Sequence, residues 1–241
     1  SATVTGAPAC LAQPASLVSL WPGNDNANDV GPGGYNGTLE NGVTYALGEV
    51  GDAFSFSGSD QYVLIGQPVP TNLQIQGAIS MSAWVYMTAL PTSYATIMGS
   101  EDGNDGIGLY IDNANNRTDV PPGAIDFDIG NGSGFYSVLT TTQVPLNQWT
   151  LVTVTASANN PSLVYFNGVQ QPTITPSGET PWTTSTTVPY NASGQWFAIG
   201  QSSASNWPFT GLLNDVAVYN AALTSAQVQA IYNAGSGGVC Q

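Results

Sequence analysis

The sequence predicts an all-β fold in which two antiparallel sheets pack as a sandwich, with one short helix near the C-terminus. Short apolar or alternating runs bounded by Gly, Pro, Asn and Asp recur along the 241 residues, which is typical of antiparallel sheets. Only residues 224–233 show helical spacing, and Thr224 and Gln227 form a capping-box pattern at their start. A chain of this length can form a single sandwich domain.

The predicted strands are, in chain order, 17–21, 53–57, 61–66, 78–87, 95–99, 107–112, 124–129, 149–156, 162–167, 196–200 and 212–219. Segment 78–87 alternates Ile, Met, Ala, Val and Met with Ser, Ser, Trp and Tyr, so one face is apolar and the other is semi-polar and aromatic. The dipeptide Asn167-Gly168 lies between β-prone residues and predicts a type I′ hairpin.

The two cysteines lie near opposite ends of the chain. We expect an N-terminal arm at 1–16 that contains Cys10, a single sandwich domain at 17–235, and a C-terminal tail at 236–241 that contains Cys240. Because the termini of compact domains often lie close together, we predict a Cys10–Cys240 disulfide. Two unpaired thiols in a reducing compartment are the alternative.

The disulfide favours a secreted protein. The sequence has neither a basic segment followed by an apolar run at its start nor an apolar run long enough to cross a bilayer, so we expect a mature chain without membrane insertion. The sequons at Asn36, Asn116, Asn131 and Asn191 agree with exposed loops.

Charge is strongly one-sided, with one cation, Arg117, against 15 acidic residues and a net charge of −14. Binding to a phosphate backbone requires several Lys or Arg residues, so nucleic acid is excluded as a partner, and anionic lipid is repelled. Divalent cations are attracted instead. The largely uncharged polar surface would suit an acidic medium.

Seven segments carry a shared pattern, namely 17–39, 48–66, 78–87, 146–156, 162–169, 197–200 and 209–235. The last joins a Gly entering a strand, an Asp, an aromatic residue and a short helix. In this order the segments resemble the laminin-G-like or concanavalin-A-like jelly-roll family, in particular its secreted bacterial branch related to pentraxins. The resemblance implies a jelly-roll sandwich, a fold that hosts lectins, adhesion modules and glucanases. Specificity is expected in the loops without a family pattern, which are 88–94, 113–123, 130–145 and 171–195.

The same resemblance implies a structural calcium ion, at which an Asp of an N-terminal loop meets an Asp of a late strand. The matching positions are Asp29 and Asp215, and Asn36 is a neighbouring candidate. Carboxylates and Asn amides supply the hard oxygen ligands that calcium prefers. The alternative for residues 24–29 is a turn whose Asx side chains cap their own backbone.

Catalytic patterns are scarce. Glucanases of this fold carry E-x-D-x-x-E, which is absent, and the chain has no histidine, which excludes a Ser-His-Asp triad and His-ligated zinc. Asp126 and Asp128 share one face of a strand, but we expect them to be solvated and not catalytic. A second metal candidate is the acidic loop of Glu101, Asp102, Asn104 and Asp105.

Sugar recognition needs flat apolar rings beside fixed polar groups. The candidate aromatic residues outside the predicted strand cores are Trp182, Trp207, Tyr94, Tyr136 and Tyr190, for which local packing of long loops is the alternative. By contrast, Trp84, Trp149 and Trp196 lie in or beside strands and are expected to pack in the core or on a sheet face.

These observations predict a secreted, non-catalytic carbohydrate-binding or adhesion module with structural calcium, whose partner is a glycan or cell-surface polysaccharide. One alternative is a structural subunit of an extracellular fibre or surface layer, which would pack on copies of itself through the arm at 1–16. The other is a glycan-cleaving enzyme that uses Asp126 and Asp128.

Overall fold

The computed structural model describes residues 9–114, 118–177, 179, 182–190, 194–202 and 207–241. Every strand pair in it is antiparallel, and the strands form two eight-stranded sheets, which confirms the predicted all-β sandwich. Arg117 and the sequons at Asn116 and Asn191 lie outside the described residues. No helix in the described ranges is long and apolar enough to cross a membrane.

The strands are β1 (Leu17–Trp21), β2 (Thr38–Glu40), β3 (Thr44–Leu47), β4 (Asp52–Ser57), β5 (Tyr62–Gly66), β6 (Ala78–Met87), β7 (Tyr94–Gly99), β8 (Ile107–Asp112), β9 (Ala124–Gly130), β10 (Phe135–Gln143), β11 (Thr150–Ser157), β12 (Leu163–Phe166), β13 (Val169–Gln170), β14 (Thr173–Ile174), β15 (Phe197–Ile199) and β16 (Thr210–Tyr219). The helix α1 spans Ser225–Ala234, and 3-10 turns span Thr71–Leu73 and Gly235–Gly237.

The first sheet has the strand order β13-β12-β11-β6-β16-β4-β3, and β1 also pairs with β16. The second sheet has the order β14-β10-β9-β8-β7-β15-β5-β2. The apolar residues of β6, such as Met81 and Val85, face those of β8 and β9, such as Leu109 and Phe127, in one buried core. The alternation in segment 78–87 therefore predicted the inward face of β6 correctly.

The outer face of the first sheet is covered by α1. Trp84, Leu151 and Tyr165 form a second apolar cluster there with Val228 and Ile231 of the helix. The helix begins where the sequence predicted. Thr224 caps it and Gln227 completes the reciprocal capping box, which satisfies two of the N–H groups left unpaired at a helix start.

The predicted disulfide joins Cys10 to Cys240, with a Cα–Cα distance of 4.9 Å. Leu11 forms a short parallel bridge with Val239 beside it, and the Cys240 N–H donates to the Leu11 carbonyl at 2.8 Å. The described part of the N-terminal arm therefore packs on the C-terminal tail of its own chain.

Five strands were not predicted, namely β2, β3, β10, β13 and β14. The longest of them, β10, lies in the loop assigned to 130–145, and Tyr136 is part of it. Tyr94, the last residue of the loop assigned to 88–94, is the first residue of β7. By contrast, the hairpin at Asn167-Gly168 is confirmed, because φ is 51° and 77° at these residues, which join β12 to β13.

Candidate functional site

The outer face of the second sheet carries four acidic side chains, which we call the acidic face: Glu101, Asp112, Asp126 and Asp128. Asp112 lies on β8, Asp126 and Asp128 lie on β9, and Glu101 follows β7. The two weaker sequence candidates, the carboxylate pair on β9 and the acidic loop, thus come together, because Asp128 interacts electrostatically with Glu101.

The expectation that Asp126 and Asp128 are both solvated was wrong. Asp126 is 1% exposed, and Asp128 is only half-buried. In register, Asp126 lies between Tyr110 of β8 and Leu139 of β10, and Val120 packs against Leu139. Strand alternation gave the direction of these side chains correctly, but bulky neighbours from other segments exclude water from Asp126.

Burial alters the protonation of the acidic face. Desolvation, and after it the neighbouring Asp128 carboxylate, raise the pKa of Glu101 to about 7, while the Tyr110 hydroxyl acts in the opposite direction. Burial also raises the pKa of Tyr110 well above its ordinary value. Glu101 therefore gains a proton in a pH range in which solvated carboxyls are fully ionised.

Two of the predicted sugar-binding residues, Tyr94 and Trp207, contact each other beside the acidic face. Their ring centroids are 4.7 Å apart, and both rings pack edge-on against buried Tyr110 at 6.2 and 5.5 Å. Both are only partly buried. They form an aromatic pair at the border of the acidic face.

Two more of the predicted residues, Tyr136 and Trp182, meet in a different place. They line a cleft of about 580 Å³, which we call the loop cleft, together with Asn159, Asn160, Pro161, Thr175 and Thr183. Tyr136 is 9% exposed and Trp182 is 2% exposed, so their rings form the inner wall. The amides and hydroxyls at the rim were not singled out in the sequence, because a short Asn-Asn-Pro turn has no distinctive pattern.

The loop cleft is held by hydrogen bonds that leave one buried donor unused. The Asn159 N–H donates to the Trp182 carbonyl at 2.9 Å, and the Ser162 N–H reaches the Tyr136 hydroxyl at 3.5 Å. Among the described residues, the buried indole N–H of Trp182 has no hydrogen-bond partner. A buried donor without a partner is costly, so a ligand or water that accepts from it would stabilise the cleft.

Tyr190, the fifth candidate, and Trp196, which was expected to pack in the core or on a sheet face, both have structural contacts. The Tyr190 hydroxyl donates to the Ile75 carbonyl at 3.0 Å, and its ring packs on the main core. Trp196 packs against Tyr62 with ring centroids 4.8 Å apart, as expected for a residue on a sheet face.

The residues predicted to bind calcium lie on opposite edges of β1. The Asp29 carboxylate accepts from the N–H groups of Leu20, Gly31 and Tyr35 at 2.8–2.9 Å, and the Asn36 Oδ1 accepts from the Asp29 N–H at 3.0 Å. The segment after Asp29 therefore covers the free edge of β1 by hydrogen bonding alone, and few lone pairs of these oxygens are left for a metal ion.

Asp215 lies on the other edge, in a bulge of β16 with φ at 46°. It is 7% exposed, burial raises the pKa of its carboxyl to about 7, and its Oδ1 has no partner among the described residues. Its neighbour Asn214 bonds the backbone of Pro22, Val50 and Asp52. Within the described ranges, no three acidic, His or Cys side chains are grouped so as to hold a metal ion.

Comparison with known proteins agrees with this architecture. Residues 57–229 match the family described as the concanavalin A-like lectin/glucanases superfamily. A search of curated protein sequences finds no match.

Among solved structures, domain 4 of AbnA, a GH43 extracellular arabinanase from Geobacillus stearothermophilus in complex with arabinotriose, is similar with a TM-score of 0.67 and 24% identity, over 89% of this chain and 97% of that one. The binding domain of Paraclostridial Mosquitocidal Protein 1 has a TM-score of 0.66 and 14% identity, over 90% of this chain and 52% of that one.

The ligand binding domain of botulinum neurotoxin serotype D in complex with N-acetylneuraminic acid has a TM-score of 0.58 and 18% identity, over 90% of this chain and 50% of that one. These structures share the fold of the sandwich described above. The family match covers most of the chain, so the protein belongs to the concanavalin A-like lectin/glucanases superfamily.

Proposed function

We propose that this protein is a secreted, non-catalytic carbohydrate-binding module that takes a sugar in the loop cleft. The observation that carries the proposal is the convergence of Tyr136 and Trp182 on one cleft whose rim supplies two Asn amides and two Thr hydroxyls. Apolar rings beside a few fixed polar groups are the usual make-up of a ligand pocket, and about 580 Å³ lies in the usual size range.

The charge of the protein narrows the range of ligands that the loop cleft could bind. None of the described residues that line the loop cleft is charged, and the net charge of the chain is −14. A sugar acid would be repelled by this field and would find no cation among the described residues of the cleft. We therefore infer that the ligand is a neutral glycan. The similar arabinanase domain was solved with arabinotriose, a sugar of this class.

Two side-chain changes test the site while keeping its shape. Trp182→Phe removes the indole N–H, and Thr175→Val removes an exposed rim hydroxyl. Each loses about one hydrogen bond to the sugar, so we expect affinity for a neutral oligosaccharide, measured by calorimetry, to fall roughly fivefold.

Trp196→Phe is the matched control, because Trp196 packs on Tyr62 outside the loop cleft. Equal affinity in all of these variants, or no binding of any neutral glycan by the wild type, would contradict the proposal. Tight binding of N-acetylneuraminic acid would contradict the inference about charge.

We propose that the module binds its glycan without cleaving it. Asp126, one member of the carboxylate pair on β9, is buried beside Tyr110 and is not accessible to a substrate. Incubation with the bound oligosaccharide should leave its length unchanged. Shorter products that disappear in Asp128→Asn would show that the protein is an enzyme.

A structural calcium ion at Asp29, Asn36 and Asp215 stays a prediction, as does the narrower resemblance to the pentraxin-related branch. Asp215 is the member best able to take part, because its Oδ1 has no described partner. Calcium that binds only the folded state would add about 2.7 kcal/mol of stability at 100 times its Kd. We expect this gain in thermal melts at pH 8 with calcium, and its loss with chelator or in Asp215→Asn. Melts that chelator leaves unchanged would contradict the prediction.

A further inference from the structure

A second cleft lies on the outer face of the first sheet, where α1 crosses β6. It measures about 350 Å³ and we call it the helix cleft, lined by Glu49, Trp84, Trp149, Asn167, Tyr232 and Asn233. These residues come from the turn before β4, from β6, from the position just before β11, from the β12–β13 hairpin and from α1. Among the described residues, the helix cleft shares none with the loop cleft or the acidic face.

The walls of the helix cleft are aromatic. Trp84 and Tyr232 pack with ring centroids 5.9 Å apart, and Trp149 extends the surface to Tyr86 at 5.4 Å. Trp84 is 5% exposed, whereas Trp149, Tyr232 and Tyr86 are only partly buried. The sequence predicted that Trp149 packs on the sheet face, and it does, but one side of its ring borders the cleft.

The polar groups of the helix cleft are fixed by contacts inside the protein. The Asn167 Oδ1 accepts from the Leu151 N–H at 2.8 Å, and the Asn233 Oδ1 accepts from Gln229 at 3.0 Å. Both amides therefore use their oxygen within the protein, and their NH₂ groups donate to no residue in the described ranges. Glu49 supplies an acceptor on the other side.

This arrangement is complementary to a sugar. Pyranose and furanose rings present an apolar C–H face and a rim of hydroxyls, which match aromatic walls, two NH₂ donors and one carboxylate acceptor. The carboxylate is the only charged group that lines the cleft among the described residues, and it would repel sugar acids.

We propose that the helix cleft is a second binding site for a neutral sugar, separate from the loop cleft. This second site rests on the proposed function in one respect, because the class of ligand is taken from it. A module with two such sites would hold two glycan chains, or two parts of one chain, and would bind a polysaccharide with an avidity above the affinity of either site.

The six tryptophans allow the two sites to be observed separately. Each indole N–H gives one signal in a ¹⁵N-correlated NMR spectrum, assigned with Trp→Phe variants. The probes are arabinotriose, xylotriose, cellotriose and mannotriose, each titrated into the full chain. We expect at least one of them to shift the signals of Trp84 and Trp149, with a saturation curve of its own.

Asn233→Ala is the test variant and Asn220→Ala the control, because both residues are exposed and only Asn233 lines the cleft. Losing one hydrogen bond should weaken the titration read at Trp149 about fivefold in Asn233→Ala and leave it unchanged in Asn220→Ala. The Trp182 signal should titrate equally in both.

The outcomes separate the two sites. Shifts at Trp182 alone would overturn the second site and leave the proposed function standing. Shifts at Trp84 and Trp149 alone would support the second site and contradict the first. No shift with any probe would overturn both, and a Trp149 titration that Asn233→Ala leaves unchanged would overturn the helix cleft as the place of binding.

Discussion

The outer faces of the two sheets are built on the same alternating strands, but they are covered by different means. On the first sheet, Ser82 and Trp84 of β6 lie under α1 and the disulfide-linked tail. On the second sheet, Asp126 of β9 lies between Tyr110 and Leu139 of the neighbouring strands, and Val120 packs against Leu139. The period of a strand thus determines where a side chain points, and segments elsewhere in the chain determine whether water reaches it.

The two faces also differ in charge. The cavity under the tail contains one carboxylate, Asp215, whereas the acidic face brings together Glu101 and three aspartates. We therefore expect the first face to respond to changes in its covalent cover and the second face to respond to pH.

Removing the disulfide should have the largest effect. The double variant Cys10→Ser/Cys240→Ser opens a ring that spans 230 residues of sequence, and the chain-entropy model predicts a loss of about 5 kcal/mol in the free energy of unfolding. Urea unfolding measures this loss. Reductant is the control, because it should destabilise the wild type and leave the double variant unchanged.

The same variant tests the difference between the faces. Hydrogen exchange of the backbone N–H at position 240, which donates to the Leu11 carbonyl in the wild type, should become faster, while exchange in β9 should change only with global stability. Selective loss of protection in β9 would contradict the assignment of the tail to the first face.

The second prediction concerns pH and the acidic face. The pKa of Glu101 is about 7 in the folded protein against an ordinary value of 4.5, so the folded state holds the proton more tightly. The contribution of Glu101 to the free energy of unfolding is therefore fully present below about pH 4.5 and is lost as the pH rises through 7. The difference between these two pKa values corresponds to about 3 kcal/mol in the free energy of unfolding.

Glu101→Gln is neutral at every pH, so it should reduce the loss of stability between pH 4 and pH 8, as measured by urea unfolding at both values. The control is Glu40→Gln on β2, a partly buried carboxylate far from Asp128 in the strand order of the sheet. If the free energy of unfolding changed equally between pH 4 and pH 8 in the wild type and in Glu101→Gln, Glu101 would ionise without destabilising the folded protein.

The sequence predicted the parts of the fold that depend on local pattern. The alternation in β6, the Asn167-Gly168 turn and the capping box at Thr224 are each visible within a few residues, and each is confirmed. Strand β10 was missed because its second half, Thr-Thr-Thr-Gln, has no apolar face, although Tyr136 and Val138 alternate with Ser137 before it.

The candidate sites depend on contacts between distant segments, which a single sequence does not reveal. Of the five aromatic residues that were selected together, Tyr94 and Trp207 form one pair, whereas Tyr136 and Trp182 line the loop cleft. Trp149 was assigned to packing because it precedes a strand, and the sequence gives no sign that α1 leaves part of its ring uncovered.

The smallest expected effect concerns the helix that covers the first face. In Thr224→Ala, the Gln227 N–H loses its acceptor, at present 3.3 Å away, and the reciprocal bond from the Thr224 N–H to the Gln227 side chain weakens. Loss of such a cap costs about 1 kcal/mol, whereas Thr224→Ser keeps the hydroxyl and should cost only a few tenths. Because Tyr232 of this helix packs on Trp84, fraying should also move the Trp84 indole signal in NMR and leave that of Trp207, beside the acidic face, in place. Equal losses in the Ala and Ser variants would show that the hydroxyl does not cap the helix in solution, and a shift at Trp207 would show that the two faces are coupled.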